Sequence, residues 1–394
     1  MTQQHGEPSD SDPGAGSIGC CGVIVGALGL VSLITTLIAL GAVLLTFPPD
    51  RWQGAADPNA HPLAIVVAPT HPQTVYVGTE QGLILISRDG GQSWQETHQG
   101  LPPDTPISSL VLASGANQLL AGTSYGAYRS LDGGKTWRSA GSGIPPHSGV
   151  DAIAALPDGM LLAGTVGEGV YALPVGSGTW IPAQMGLPPH SDVYAFLPLA
   201  QPGHVLAALI SGGIYASQDG GRSWAESDRG LGAASGVNVF SLLAIPDQRE
   251  ADALILAGTS RGAFESSDLG ATWAPSSVGI GTTRVISLAS DPVTPTNVFA
   301  GTDPGVYQSR DGGVTWRTVG FGLPSVLHVG ALGIVHPAGG DQVILASVDR
   351  LYRYPGHWFL ASEPWRAIGF GVLVLLALIL VAIVAWGIHA VIAA

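Results

Sequence analysis

Five aspartates at regular intervals are the residues of this chain whose type and spacing could do chemistry. Each stands in a phrase of the form S-x-D-x-G-x-[ST]-W, first written as "SRDGGQSW" over residues 87–94. A carboxylate flanked by hydroxyl groups could act as a general acid or ligate calcium. Copies on separate repeats cannot meet at one substrate, however, so we expect a structural role. The five aspartates and the tryptophans that close their phrases are Asp89 and Trp94, Asp132 and Trp137, Asp219 and Trp224, Asp268 and Trp273, and Asp311 and Trp316.

The motif predicts a self-contained turn between two strands. A Gly-Gly pair takes up positive φ at little steric cost, and an aspartate at the start of a turn accepts hydrogen bonds from backbone N–H groups a few residues on. The hydroxyl before the tryptophan can satisfy the second carboxylate oxygen, and the indole can cover the bend. Every one of these roles is local.

The tryptophans recur at an interval of about 43 residues, which reveals an internal repeat. The gap between Trp137 and Trp224 is twice that interval, and Trp180 in "GSGTW" stands at its middle without the aspartate. One interval after Trp316 comes Trp358, in "PGHW". A second phrase, for example "LLAGTSYGAYRS", recurs upstream of each tryptophan. The chain therefore contains seven units, five with the full motif and two degenerate.

Each unit holds four short apolar or alternating runs separated by Gly, Pro, Asn and Asp, and it lacks helical periodicity. This pattern is typical of an antiparallel blade of four strands. Seven blades fit a closed β-propeller, which leaves no sheet edge free. We predict an all-β, seven-bladed β-propeller over residues 62–362, in which "HWFLASE" (357–363) forms the last outer strand. A β-solenoid is the alternative.

The motif resembles the Asp-box, or BNR repeat, of sialidases, sortilin-type receptors, xyloglucan-cleaving propellers and photosystem II assembly-factor-like propellers. The resemblance covers the middle of the chain, about 300 residues, and the single-propeller length is most similar to the assembly-factor group. The resemblance implies a β-propeller of this repeat type and is not specific for any one function. A sialidase-like enzyme is the alternative, but the R-I-P segment that sialidases carry near their start is absent.

A site is expected on the face of the propeller where the repeats differ most. The loops between second and third strands share that face with the connections between blades, and varied loops on a rigid scaffold carry function. A sialidase-like site would need three arginines to bind the carboxylate of its substrate. Arg261, Arg284 and Arg350 could approach one another on this face, but they lie in no recognisable motif. We assign no catalytic residue. The candidate binding rim comprises Glu80, Tyr125, His147, Glu168, His190, Arg261, Arg284, Asp303 and Arg350.

Two uncharged apolar segments lie at the ends of the chain, over residues 18–47 and 367–394. Each is longer than the roughly 20 residues that cross a bilayer as a helix. We predict a transmembrane helix for each segment, a disordered polar tail over 1–17, and linkers over 48–61 and 363–366.

The membrane placement follows from where the outer strands end. The last outer strand, "HWFLASE", is expected to finish on the rim side, where the first strand of the propeller also begins. The rim is therefore expected to face the bilayer, with Trp52, Trp358 and Trp365 near the interface. The arginines beside the spans favour a cytoplasmic propeller, yet a loop of more than 300 residues translocates largely regardless of charge. Because the propellers it resembles are mostly extracytoplasmic, we expect an integral plasma-membrane protein with the propeller outside. Acylation of Cys20 and Cys21 stays open.

Composition excludes some classes of function. The chain has 15 Lys and Arg against 28 Asp and Glu, a net charge of −13, which argues against nucleic-acid binding. Both cysteines lie at the edge of the first predicted span, so the middle has no disulfide and no thiolate metal site. We expect neither a metal nor a cofactor. We predict a membrane-anchored, non-enzymatic protein-binding or assembly scaffold with a partner in or near the same membrane; a sialidase-like glycoside hydrolase or a carbohydrate-binding propeller is the alternative.

Overall fold

The chain folds into seven four-stranded antiparallel sheets, which we number as blades 1 to 7 along the chain. The structure is a computed structural model and describes residues 52–55, 60–113, 118–210, 212–232, 236–246, 254–320, 323–324, 328–337 and 342–355. In every blade the first strand of the repeat is innermost and the fourth is outermost.

The innermost strands of blades 1 to 7 are β2 (Pro62–Val67), β6 (Ile107–Leu112), β10 (Val150–Ala155), β14 (Val193–Pro198), β18 (Val239–Ile245), β22 (Val285–Ser290) and β26 (Ala331–Val335). The second strands are β3 (Val75–Thr79), β7 (Leu119–Thr123), β11 (Leu161–Thr165), β15 (Val205–Leu209), β19 (Leu254–Thr259), β23 (Val298–Thr302) and β27 (Val343–Ser347). The third strands are β4 (Ile84–Ser87), β8 (Gly126–Ser130), β12 (Gly169–Leu173), β16 (Gly213–Ser217), β20 (Gly262–Ser266), β24 (Gly305–Ser309) and β28 (Leu351–Pro355). The outer strands are β5 (Gln95–Thr97), β9 (Arg138–Ser139), β13 (Ile181–Pro182), β17 (Ala225–Glu226), β21 (Ala274–Pro275), β25 (Arg317–Thr318) and, in blade 7, β1 (Gln53–Gly54).

The apolar core is divided into seven clusters of described residues, one between each pair of neighbouring blades. Second strands such as β7 are buried along nearly their whole length, because blades cover both of their faces. They therefore read as continuous apolar runs without alternation. One cluster packs Val77 of blade 1 against Leu345 of blade 7 and so closes the ring. The predicted seven-bladed β-propeller is confirmed.

Blade 7 is completed by the N-terminal strand β1. Gln53 pairs with Arg353 and Gly54 with Tyr352 in the antiparallel ladder between β1 and β28. The prediction that "HWFLASE" forms the last outer strand is wrong, because β1 occupies that edge of the sheet and lies within the predicted linker 48–61. Backbone hydrogen bonds between the two ends of the propeller thus hold the ring shut.

Trp52 fills the place in blade 7 that the repeat assigned to Trp358. Its side chain is only 3% exposed, its Nε1 donates to the carbonyl oxygen of Val319 at 3.2 Å, and its ring lies 5.2 Å from that of Tyr354. Trp52 is therefore part of the core, and its expected place at the membrane interface is wrong. Trp358 lies outside the described residues.

Both ends of the propeller lie on one face. We call the face that bears the turns between third and outer strands the turn-motif face, and the opposite one the rim face. Strand β28 runs toward the turn-motif face, and β1 starts there because it is antiparallel to β28. The expectation that the rim faces the bilayer required the ends of the propeller to lie on the rim face. That premise is wrong, because both ends lie on the turn-motif face.

The predicted tail 1–17, the predicted spans 18–47 and 367–394, and the linker 363–366 lie outside the described residues. Within the part of the chain that the structure describes, no helix has the length and apolar character to cross a bilayer.

The repeated motif builds a turn around its aspartate. The Asp89 Oδ1 accepts hydrogen bonds from the backbone N–H groups of Gln92 and Ser93 at 3.0 and 2.9 Å and from the Ser87 hydroxyl at 2.8 Å. The Ser87 hydroxyl in turn accepts from the N–H of Gly91, which has a φ of 82°. The same serine-to-aspartate and hydroxyl-to-aspartate contacts recur at Asp132, Asp219, Asp268 and Asp311.

The tryptophan of the motif, in contrast, acts between blades. Trp180 lies in the turn that lacks the aspartate, yet its Nε1 donates to the carbonyl oxygen of Ala140 in the preceding blade at 2.5 Å. The backbone N–H of Trp180 donates to the carbonyl oxygen of Ser142. The two backbones approach so closely that a Cβ on Gly143, the residue after Ser142, would lie 2.1 Å from the Trp180 carbonyl oxygen. Trp224, Trp273 and Trp316 make the same indole bond to the preceding blade. The expectation that every role in the motif is local is therefore wrong for these tryptophans, whereas the Nε1 of Trp137 donates within its own turn, to the Gly134 carbonyl oxygen at 3.1 Å.

Trp52→Ala is expected to destabilise the propeller by about 3 kcal/mol or more, because it removes a buried indole and weakens the closure of the ring. Urea unfolding of the full chain in detergent measures the loss. Trp94→Ala is the matched control, since Trp94 is only half-buried and its Nε1 has no partner among the described residues. Equal losses in the two variants would contradict a special role for Trp52.

Asp89→Ala is expected to lower the melting temperature at pH 7 and to make stability less sensitive to acid. Burial alone would raise the pKa of Asp89, but the hydrogen bonds from Ser93, Ser87 and Gln92 outweigh it and lower this pKa to about 2. The stability that the ionised form contributes is present above the unfolded value of 3.8 and is lost as the pH falls through about 2. The melting temperatures of Asp89→Ala and of the parent chain should therefore converge as the pH falls from 7 to 2. Glu96→Ala removes an exposed carboxylate in the same blade and should change neither the melting temperature at pH 7 nor its dependence on pH.

Candidate functional site

A β-bulge at the start of the innermost strand sets one residue per blade apart from the repeat. In blades 1 to 6 the pairing between the innermost and second strands skips the second residue of the innermost strand. Such a bulge re-aims a side chain. The residues skipped in blades 1 to 6 are Leu63, Ser108, Asp151, Tyr194, Phe240 and Ile286.

Gly330 holds the corresponding position in blade 7. Val329 before it is fully buried and packs on Gly301 of blade 6, as Val285 packs on Gly258 one blade earlier. The Gly330 N–H donates to the carbonyl oxygen of Ser347 at 2.9 Å, next to the start of the ladder with β27. We call this ring of seven positions, the six skipped residues and Gly330, the channel mouth.

The channel mouth borders a cavity of about 530 Å³ that residues of all seven innermost strands line. Its seven positions carry seven different residue types, whereas the surrounding framework repeats from blade to blade. The position at Gly330 is open, because the nearest atom to a Cβ built there is the Ser347 Oγ at 3.8 Å. In a seven-membered ring, blade 7 lies across from blades 3 and 4, which carry Asp151 and Tyr194.

Two carboxylates lie on one side of the channel mouth. Burial raises the pKa of Asp151; a hydrogen bond with Ser108 opposes the rise, and the nearby charge of Asp192 adds to it. Asp192 stands just before β14, and its Oδ1 accepts a hydrogen bond from the N–H of Gly167 at 2.6 Å. Burial and the like charge of Asp192 therefore disfavour the ionised form of Asp151 in the folded chain.

Aromatic rings continue the arc from blade 4 to blade 6. Tyr194 and Phe240 meet edge to face with centroids 6.1 Å apart, and the Arg284 guanidinium lies 5.7 Å from the Phe240 centroid. Arg284 also forms an ion pair with Asp303 at 3.1 Å. Burial raises the pKa of the Tyr194 phenol, and the charge of Asp151 raises it further while Arg284 opposes the rise.

The predicted rim residues lie around the channel mouth as separate small groups. The Tyr125 ring contacts His147 with centroids 6.1 Å apart, and Glu80 lies 3.5 Å from His61. The guanidinium of Arg350 stacks over Tyr352, 5.2 Å from the ring centroid. Two of the nine rim residues, Arg284 and Asp303, form an ion pair with each other, and Glu168 is exposed. The His190 Nδ1 lies 3.3 Å from the Gly167 carbonyl oxygen. The backbone N–H of Arg261 donates to the Thr259 hydroxyl.

The structure does not gather the three predicted rim arginines into one site, because Arg350 and Arg284 have separate partners on blades 7 and 6. None of the nine rim residues lines the 530 Å³ cavity. Among the described residues there is also no group of three or more His, Cys, Asp and Glu side chains placed to hold a metal ion.

An alignment of the seven repeats shows that the channel-mouth positions vary, although not that they share a cavity. They read L, S, D, Y, F, I and G in chain order, between neighbours that are mostly apolar. Variation confined to loops does not include them, because six of them lie inside strands and a bulge turns them toward the cavity.

Solved structures of other propellers share the fold. A GH74 xyloglucanase from Xanthomonas campestris aligns with a TM-score of 0.59 and 17% identity over 80% of this chain and 55% of that one. YCF48 bound to D1 peptide aligns at 0.58 and 17% identity over 78% and 98% of the two chains, and the WD40 propeller of Doa1 at 0.57 and 14% over 77% and 96%. This chain thus spans about half the length of the xyloglucanase. No protein-family model and no curated protein matches the sequence.

Asp151→Asn is expected to raise the melting temperature at pH 7, because the amide removes a buried charge that disfavours the folded state. The pKa of Asp151 is raised on folding, so the cost of its charge is present above the folded pKa and disappears below the unfolded value of 3.8. The advantage of the variant should therefore shrink between pH 7 and pH 4. Asp158→Asn, in the same blade but on the turn-motif face, should show no such gain; a variant that is less stable than the parent chain at pH 7 would contradict the prediction.

Proposed function

We propose that the chain is a membrane-anchored, non-enzymatic scaffold of the Asp-box type, which binds a polypeptide segment at its channel mouth. The observation that carries this proposal is the ring of seven unlike bulge residues on an otherwise repetitive framework. Six blades aim a side chain at the cavity and the seventh leaves a gap at Gly330. A rigid scaffold that presents a varied surface at a concave opening is suited to recognition.

The raised pKa of Asp151 supports a functional interpretation of the same ring, because perturbed carboxyl groups in a cleft are typical of functional sites. The structural likeness to YCF48 bound to D1 peptide is in keeping with a propeller that takes a peptide, although at 17% identity it argues only for the fold.

The predicted spans 18–47 and 367–394 would anchor the propeller in the plasma membrane, with the propeller outside the cytoplasm. Four residues join position 47 to Trp52, and the strand that follows, β1, starts on the turn-motif face. The channel mouth is on the face of the propeller opposite that entry. The partner in this proposal is a soluble segment of a protein in or near the same membrane. Protease accessibility of the propeller on intact cells tests the sidedness.

Site-specific photocrosslinking in native membranes tests the binding face. Benzoylphenylalanine in place of Tyr125 is exposed on the rim face, and the same group in place of Leu131 is exposed on the turn-motif face of the same blade; the two side chains are 55% and 65% exposed. We expect one dominant crosslinked polypeptide from position 125 that position 131 does not capture.

Gly330→Phe supplies the decisive control. The backbone there is compatible with a side chain and the cavity offers room, so the variant should fold with an unchanged melting temperature while it fills the channel mouth. The proposal predicts at least a tenfold loss of the crosslink at position 125. An undiminished crosslink in a folded variant would overturn the channel mouth as the binding site.

A glycoside hydrolase or carbohydrate-binding propeller is the second candidate, because carboxylates and aromatic rings share the channel mouth. Such an enzyme needs two carboxyl groups about 5 Å apart, or roughly 6.5–9.5 Å apart, across the scissile bond. Hydrolysis of fluorogenic glycosides by the full chain, abolished in Asp151→Asn, would establish this alternative.

A further inference from the structure

We propose that the channel mouth recognises a basic side chain, lysine or arginine, on the bound polypeptide segment. The cationic head would lie beside Asp151 and Asp192, with its aliphatic stem along Tyr194. This inference rests on the proposed function and adds the chemical class of the group that enters the cavity.

The channel mouth and its border carry more negative than positive charge. Asp151 lines the cavity, the negative charge of Asp192 acts on it, and on the border Asp303 is paired with the guanidinium of Arg284. His328 also lines the cavity, on blade 7. Excess negative charge in a concave, partly desolvated opening attracts cations more strongly than the same charge on an open surface.

Arg284 and Asp151 differ in the charges beside them. Arg284 forms the 3.1 Å ion pair with Asp303 and stacks over Phe240, while its buried Nε has no hydrogen-bond partner among the described residues. Asp151 has a hydrogen bond with the Ser108 hydroxyl, but burial and the like charge of Asp192 disfavour its ionised form. A cation on a ligand would relieve this repulsion.

The aromatic wall fits the stem of such a side chain. Tyr194 is 39% exposed, and the planes of the Tyr194 and Phe240 rings make an angle of 79° with each other. Lysine and arginine cover apolar surface with their methylene stems while their charged heads seek oxygen or the face of an aromatic ring. The gap at Gly330 lies across the ring from this wall and leaves the entry that a side chain on an extended segment needs.

Saturation-transfer NMR on the full chain in uncharged maltoside micelles tests the chemical class, because it detects weak binding. The probes are the N-acetyl amides of arginine, lysine, citrulline and glutamate. Citrulline matches arginine in shape and lacks the charge. We expect the arginine and lysine probes to receive at least threefold more saturation than citrulline, and glutamate to receive the least.

Three variants locate the effect. Asp151→Asn and Gly330→Phe should each reduce the arginine signal to that of citrulline. Asp158→Asn, a carboxylate-to-amide change on the opposite face of blade 3, should leave it unchanged. Equal signals from arginine and citrulline, a larger signal from glutamate, or an arginine signal that persists in Asp151→Asn would each overturn the inference.

The two proposals can fail separately. If Gly330→Phe loses the photocrosslinked partner while arginine and citrulline behave alike, the channel mouth binds a protein and the cationic class is wrong. If Gly330→Phe keeps the crosslink, the proposed function fails whatever the small probes do.

Discussion

The tryptophan joint between neighbouring blades is the interaction on which the rest of the molecule depends. Each of the seven interfaces contains one tryptophan, and in five of them its indole Nε1 donates to a backbone carbonyl of the preceding blade. A blade is a small sheet that cannot bury both faces alone, so its stability comes from its neighbours. The turn at Trp180 has lost its aspartate and kept the joint, which shows that the aspartate shapes the turn whereas the tryptophan connects the blades.

Closure of the ring adds a constraint that no single repeat contains. The outer strand of blade 7 comes from residues 53–54, and Trp52 supplies the seventh joint from the other end of the propeller. Because the third and outer strands of blade 7 are not consecutive in the chain, this blade has no turn motif. Both ends of the propeller consequently lie on the turn-motif face, and the varied channel mouth is on the other.

A uniform framework allows a few positions to differ without loss of the fold. The residue before each bulge position, such as Val150 or Val193, is buried and holds the strand in place, while the bulge turns the next side chain toward the cavity. Asp151 shows the consequence, since it lies in a partly buried setting that raises its pKa. Stability resides in the joints and the second strands, and recognition in our proposal resides in the ring of bulges.

The sequence by itself determined the number of blades, the four strands of each, and the turns around Asp89 and its counterparts, because these depend on local periodicity and on hydrogen bonds within a few residues. It misassigned the outer strand of blade 7 to "HWFLASE", because Trp358 keeps the interval of the repeat and nothing local distinguishes it from Trp52. Its variable loops also predicted a binding rim that includes Glu80 and Arg350. In the structure these two residues have separate partners, His61 and Tyr352. Only the tertiary structure decided that Ser108, Asp151, Tyr194 and Phe240 belong together, since they lie some 43 residues apart and meet because bulges on neighbouring innermost strands turn them toward one cavity.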